Sequence, residues 1–319
     1  MSAALRRFAW ILGDEPPPPP PSRPELALTA RAALTWWRVL PLTTPRVCAW
    51  AARYAGAPEL RVLEDAALAV SLHGLVQEAL LRRLVVALDG LPWVLLKGAA
   101  ARRLAYDAPE ERGGWDTDVG ATLDTLPAVE EAARTLGFVP VVRRGAQGLV
   151  PVSRLQRAFQ EAGHYELVTM VREQVVEDLE PEEEAAVRRA LPALGVIAWA
   201  VDADGALRCR AALDLHHALV PGVGVEGALA SRRPRGGAPV PSLAWALAHL
   251  ALKLDHDPDP ADAHVLLDLT HLWARAEAEG ELANVRRLAV TLPAGPAVGA
   301  LARGDRDGLG ARLWEEGGR

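Results

Sequence analysis

The sequence predicts an α+β fold, a mixed β-sheet core with helices, flanked by helical N- and C-terminal regions. Three observations carry this expectation. Ala, Leu and Val recur at helical spacing before residue 90 and again after Pro241. Between those limits, short apolar runs alternate with helical segments, the pattern of a sheet that carries helices. Half of the 319 residues are hydrophobic, which suits one large domain or two to three small ones with a sizeable core. The chain divides into a Pro-rich segment 1–24, a helical region 25–90, the core 91–220 and a helical region 221–319.

In order along the chain, Pro16–Pro21 is a polyproline stretch that can join neither helix nor sheet and reads as an exposed spacer. Glu25–Leu40 has helical spacing with Trp36, Trp37 and Leu40. Thr44-Pro45 has the form of an N-cap followed by a first-turn proline, opening a helix through Cys48, Trp50 and Tyr54. Leu63–Leu88 is a long helical stretch of one or two helices. No chemistry is visible in this region, and His73 reads as a core or surface histidine.

The character changes at Pro92–Leu96, an apolar strand ending in Lys97-Gly98, after which Ala99–Tyr106 is helical. Trp115–Thr122 is a second strand, Asp124–Leu136 a helix ended by Gly137, and Phe138–Val142 a third strand. Tyr165–Val171 is a further strand candidate and Pro181–Leu191 an acidic-started helix. Val196–Asp202 and Leu207–His216 form a hairpin about Ala203-Asp204-Gly205. Gly222–Gly237 reads as a linker or loop, and Leu243–Leu254 and Ala261–Ala276 as helices. The Asp255–His264 cluster invites a metal reading, but its prolines fit a helix–helix turn with Asp259 or Asp262 near a cap.

The net charge of −6 provides no strong basic field for a long nucleic acid. Only two of the 35 basic residues are lysines, Lys97 and Lys253. That bias has the form of a GC-rich bacterial genome, so the arginine excess argues for nothing, while a rare residue type is more telling. Cys48 and Cys209 lie too far apart for a metal motif or a disulfide framework and read as buried thiols of a reducing compartment. The first residues lack a secretory signal pattern, and Asp89 and Lys97 interrupt the best apolar stretch short of a membrane span. A soluble, cytoplasmic protein is expected, with no membrane partner.

The informative segment is Trp93–Gly120. A strand delivers Gly98 to the start of a helix, where a missing side chain lets a phosphate approach and free N–H groups favour an anion. Lys97 at this turn faces the ligand, whereas Arg102 and Arg103 read as a solvated helix face. Asp116 and Asp118, two apart in a strand, point to one face. Such paired hard oxygens beside a phosphate cradle suit a Mg²⁺-bridged triphosphate. Asp214, on the same side of its strand as His216, is the candidate third carboxylate. Arg112 either binds phosphate or pairs with Asp116, and Tyr106 reads as core packing.

The run LLKGAAARRLAY, then Arg112, Asp116-Thr117-Asp118, a helix ending LGF, and LDLHHAL resembles the bacterial nucleotidyltransferase family within the polymerase-beta-like superfamily. The resemblance covers Leu72 to Val290 and implies a nucleotidyltransferase-type core that moves a nucleoside monophosphate from an NTP to a hydroxyl of a small molecule, a protein or an RNA end. It implies Asp116, Asp118 and Asp214 as catalytic metal ligands, two Mg²⁺ ions with the NTP, and Lys97, Gly98, Ala99, Arg112 and His216 around the nucleotide. Gly98-Ala99 replaces the superfamily's usual Gly-Ser, Thr117 an apolar residue, Gly120-Ala121 apolar strand residues, and His217 an aromatic. The alternative is a non-catalytic relative, a nucleotide- or partner-binding antitoxin-like or pathway accessory protein. A tRNA-modifying enzyme would need a basic cluster that the sequence does not display.

Overall fold

Helices α1 (Arg23–Thr35), α2 (Leu40–Trp50) and α3 (Pro58–Ala87) open the chain in a computed structural model. It describes residues 9–11, 17–35, 37–108, 111–143, 149–153, 155, 157–158, 164–194, 198–257 and 264–310. Trp36 and the side chain of Trp37 lie outside them. Helix α2 starts four residues before the expected Thr44-Pro45 boundary, because Pro41 takes the first-turn position and Pro45 lies inside the helix. Helix α3 is one continuous helix of 30 residues, with Pro58 in its first turn. Pro17–Pro20 are exposed as expected, but the segment is not a free spacer. The Trp50 indole N–H donates to the carbonyls of Pro18 and Pro19 at 2.9 and 3.0 Å, and Pro21 is buried.

The core is a seven-stranded mixed sheet, β1 (Trp93–Leu95), β2 (Asp116–Ala121), β3 (Val139–Arg143), β4 (Leu149–Pro151), β5 (Met170–Val175), β6 (Trp199–Val201) and β7 (Leu207–His216). Its order is β1-β2-β7-β5-β3-β4, with β6 beside the first half of β7. All pairs are antiparallel except β2 and β7. This single parallel pair, joined through the rest of the core, forms the centre of the sheet. The expected strand at Tyr165–Val171 begins only at Met170, and Glu166 makes an isolated bridge to His216. Helices α4 (Lys97–Ala105), α5 (Leu126–Thr135) and α6 (Pro181–Leu194) join or follow these strands.

Two hydrophobic cores result. One gathers the sheet face and the C-terminal helices, and the other gathers α1, α2, α6 and the β6–β7 hairpin. Helix α3 contributes Leu80, Leu81 and Leu84, followed by its C-cap Leu88, to the first, and Leu60, Leu63 and Val70 to the second. The expected loop at Gly222–Gly237 instead holds β9 (Val223–Gly224), α7 (Glu226–Ala230) and β10 (Arg233–Arg235), whose strands pair with β8 (Ala218–Val220) before it and β11 (Ala238–Val240) after it. Glycines at its turns, Gly222 (φ 83°) and Gly237 (φ 79°), let two short hairpins close. Helices α8 (Leu243–His256), α9 (His264–Ala278), α10 (Leu282–Ala289) and α11 (Pro296–Arg303) follow. Among the described residues, no helix is long and apolar enough to cross a membrane.

Candidate active site

The parallel pairing of β2 and β7 sets the site. Its register places Asp116 opposite Ala212, Asp118 opposite Asp214 and Gly120 opposite His216. Residues two apart on a strand share a face, so the three aspartates converge. One carboxylate oxygen from each lies within 4.8 Å of the other two, and Asp214 Oδ1 is buried with no hydrogen-bond partner. This donor set fits a hard divalent cation, whose ligands are oxygens around one point. Burial, then the charges of Asp116 and Asp118, hold the Asp214 carboxyl well above its ordinary value. A cation there would stabilise the ionised form and release the proton.

Asp118 is pulled the other way. Burial alone would raise its pKa, but the Lys97 ammonium 2.8 Å from Oδ1 and the His216 Nε2–H that donates to the same oxygen at 2.9 Å hold it well below the carboxylate range. Lys97 reaches this oxygen from an unusual backbone. It has φ 45° at the β1-to-α4 turn and is alone among the described non-glycine residues in the left-handed region, which costs about 1–2 kcal/mol. Gly120 is required beside it: a Cβ there would sit 2.8 Å from Leu96 and 3.3 Å from Val225, so an apolar strand residue does not fit.

Facing the aspartates is a cleft of about 600 Å³, its open mouth included, lined by Lys97, Gly98, Asp116 and Asp118 and by four more cations, Arg38, Arg102, Arg112 and Lys253. Gly98 is required by its packing. The Arg112 guanidinium packs against it, and a Cβ would come within 2.9 Å of Arg112 Nη2. Arg112 pairs with neither of the strand aspartates. Its Nε and Nη2 donate to buried Asp268 at 3.1 and 2.7 Å, and the Tyr106 hydroxyl donates to Asp268 Oδ1 at 2.7 Å. Tyr106 is buried as expected and stacks on His271 with ring centroids 4.7 Å apart.

Arg102 is not on a solvated face. It is buried and donates to Gln77 at 3.2 Å, and burial together with the neighbouring Arg112 charge lowers its pKa to about 10. Of these two buried guanidiniums, Arg112 is paired with Asp268, whereas Arg102 is held by the neutral amide of Gln77 and suits an additional anion. Arg103 pairs with Glu78.

The helical N-terminal region, where no chemistry was legible, contributes Arg38. Its Nη2 lies 4.0 Å from Asp116, and its Nη1 lies 3.1 Å from Nε2 of His264 at the start of α9. Lys253 comes from α8, so both lysines of the chain line one cleft. Glu166, also unforeseen, lies 3.8 Å from Lys97 Nζ. His73 is a core residue whose Nε2–H donates to the Arg210 carbonyl at 2.7 Å. In the acidic turn, Asp255 receives the first N–H groups of α11, from Ala297 and Val298 at 2.8 and 2.9 Å, while Asp259 and Asp262 lie outside the described residues.

A family profile described as an uncharacterised nucleotidyltransferase matches residues 30–303 of this chain. No curated protein matches it. The crystal structure of JHP933 from Helicobacter pylori aligns with 14% identity and a TM-score of 0.31, over 76% of this chain and 91% of that one.

Proposed function

The chain belongs to the uncharacterised nucleotidyltransferase family, and from that membership we propose that it moves a nucleoside monophosphate from an NTP to a hydroxyl acceptor with the help of a divalent cation. One observation carries the proposal: three strand aspartates converge within 4.8 Å, and two of them, Asp116 and Asp118, line a cleft shared with five Lys and Arg side chains. Asp116, Asp118 and Asp214 would hold Mg²⁺, which when bound supplies Lewis-acid stabilisation of phosphoryl oxygens and a lower pKa for the incoming hydroxyl.

The remaining steps belong to the chain. Arg102 and Arg112 bind the triphosphate, with Arg112 held in one orientation by Asp268. The first turn of α4, with Gly98 and Ala99, presents N–H groups to the same anion. Arg38 and Lys253 add charge from the two flanking regions and stabilise the pyrophosphate as it leaves. His216 keeps Asp118 oriented and ionised.

The test is transfer of label from α-phosphate-labelled NTPs with Mg²⁺ to small-molecule, protein and RNA acceptors. The D116N/D118N double variant is expected to fold and to label at background level. Labelling equal to the wild type would remove these residues from the site. Calorimetry with a non-hydrolysable NTP separates the alternatives. Binding without transfer identifies a non-catalytic nucleotide-binding relative, and absence of binding defeats both readings.

A further inference from the structure

Asp118 Oδ1 is engaged from two sides. Lys97 Nζ lies 2.8 Å from it and His216 Nε2 2.9 Å from it, and the two nitrogens are 3.3 Å apart. Glu166 Oε2 completes the group, 3.8 Å from Lys97 Nζ and 3.5 Å from His216 Nδ1. The side chains of His216 and Asp118 are 0% and 3% exposed and that of Lys97 17%, while Glu166, at 39%, closes the cluster on its solvent side.

An aspartate that bridges two divalent ions must offer an oxygen to each. Here one oxygen of Asp118 already accepts from an ammonium and an imidazole, and a second ion could reach it only by displacing them. An ammonium is a compact point charge, unlike the broad guanidinium, and can occupy a position sized for an ion. Lys97 does so between two carboxylates, from a backbone bent into the left-handed region to deliver it. In a chain where 35 basic residues include only two lysines, the residue type itself is informative.

Resting on the nucleotidyltransferase reading, we propose that the site takes one divalent ion instead of two, and that the Lys97 ammonium is a built-in second cation, with Asp118 and Glu166 as its oxygen ligands. The ion belongs to Asp116, Asp214 and the side of Asp118 that Lys97 leaves to it. Glu166 and Lys97 thereby enter the charge balance of the site without contacting the ion.

The experiment is Mn²⁺ titration of the full chain, followed by electron paramagnetic resonance, with a non-hydrolysable NTP analogue present. One bound ion per chain is expected. Two ions overturn this proposal and leave the nucleotidyltransferase reading intact, whereas no bound ion overturns both. In Lys97→Ala, the vacated position is expected to admit a second ion. A stoichiometry that stays at one in that variant, with unchanged circular dichroism, overturns the assignment of Lys97 as the substitute cation.

Discussion

Asp268 is the residue whose replacement should be felt most beyond the aspartates themselves. It is fully buried and receives Arg112 through two donors and Tyr106 through one. Asp268→Ala leaves the Arg112 guanidinium buried without its partner, and thermal or denaturant unfolding should show a loss of about 3–5 kcal/mol. Tyr106→Phe removes only a hydroxyl from the same carboxylate and should cost about 1.5–3 kcal/mol, the worth of a hydrogen bond to a charged group. Gly98→Ala forces the Arg112 guanidinium to move, since the new Cβ would sit 2.9 Å from Nη2. Calorimetry should show NTP binding weakened about tenfold, or about 1.4 kcal/mol, with unfolding little changed. Equal affinity would show that the position of Arg112 does not matter to the nucleotide. The aspartates and Lys97 were legible because strand alternation and a strand-to-helix turn place them locally. Arg38, Arg102, Glu166 and Asp268 were not, because each acquires its role from a partner remote in the chain. Arg38 and His264 are 226 positions apart, and no local pattern links them.

At the scale of elements, helices and strands were readable where periodicity is undiluted, as in α3, β2 and β7. The reading failed where two signals compete. Thr44-Pro45 has the form of a helix start, yet Pro41 occupies that role and Pro45 is carried inside α2. Gly222–Gly237 has the composition of a linker, yet its glycines close turns between strands only two or three residues long. Helix α11 illustrates a support no local pattern reveals, since its N-terminal N–H groups are satisfied by Asp255 at the far end of α8. Asp255→Ala should destabilise the protein by about 1 kcal/mol, the usual worth of a helix cap. Gly295→Ala should do the same through a clash, because a Cβ there would lie 2.2 Å from Asp255 Oδ2. Hydrogen exchange of Ala297 and Val298 checks both, and slow exchange retained in Asp255→Ala would rule out the cap.

For the whole molecule, two buried histidines couple stability to pH. Burial, as the leading cause, lowers the pKa of His73 to about 4 and that of His249 to about 3, with the Lys97 charge next in weight at His249. The unfolded chain binds these protons near pH 6.5, and the folded chain does not. Stability is therefore full above pH 6.5 and falls as the pH drops from there toward 4 and 3. Melting temperature measured across that range should fall with pH. His73→Gln, which keeps a donor toward the Arg210 carbonyl but cannot titrate, should flatten part of the slope; an identical slope would assign it to other groups.

The parallel pair at the centre of the sheet also bears on how the protein comes into being. Asp118 and His216 are 98 positions apart, and Arg38 and Lys253 enclose the cleft from still further along the chain. Closing a parallel pair over such a separation is among the slower steps a chain makes. Under the proposed function, nucleotide affinity should accordingly emerge late in refolding, after helical circular dichroism has recovered. A fragment that ends before β7 lacks Asp214, so under the proposed function the cation site of a nascent chain is complete only once residue 214 has been made.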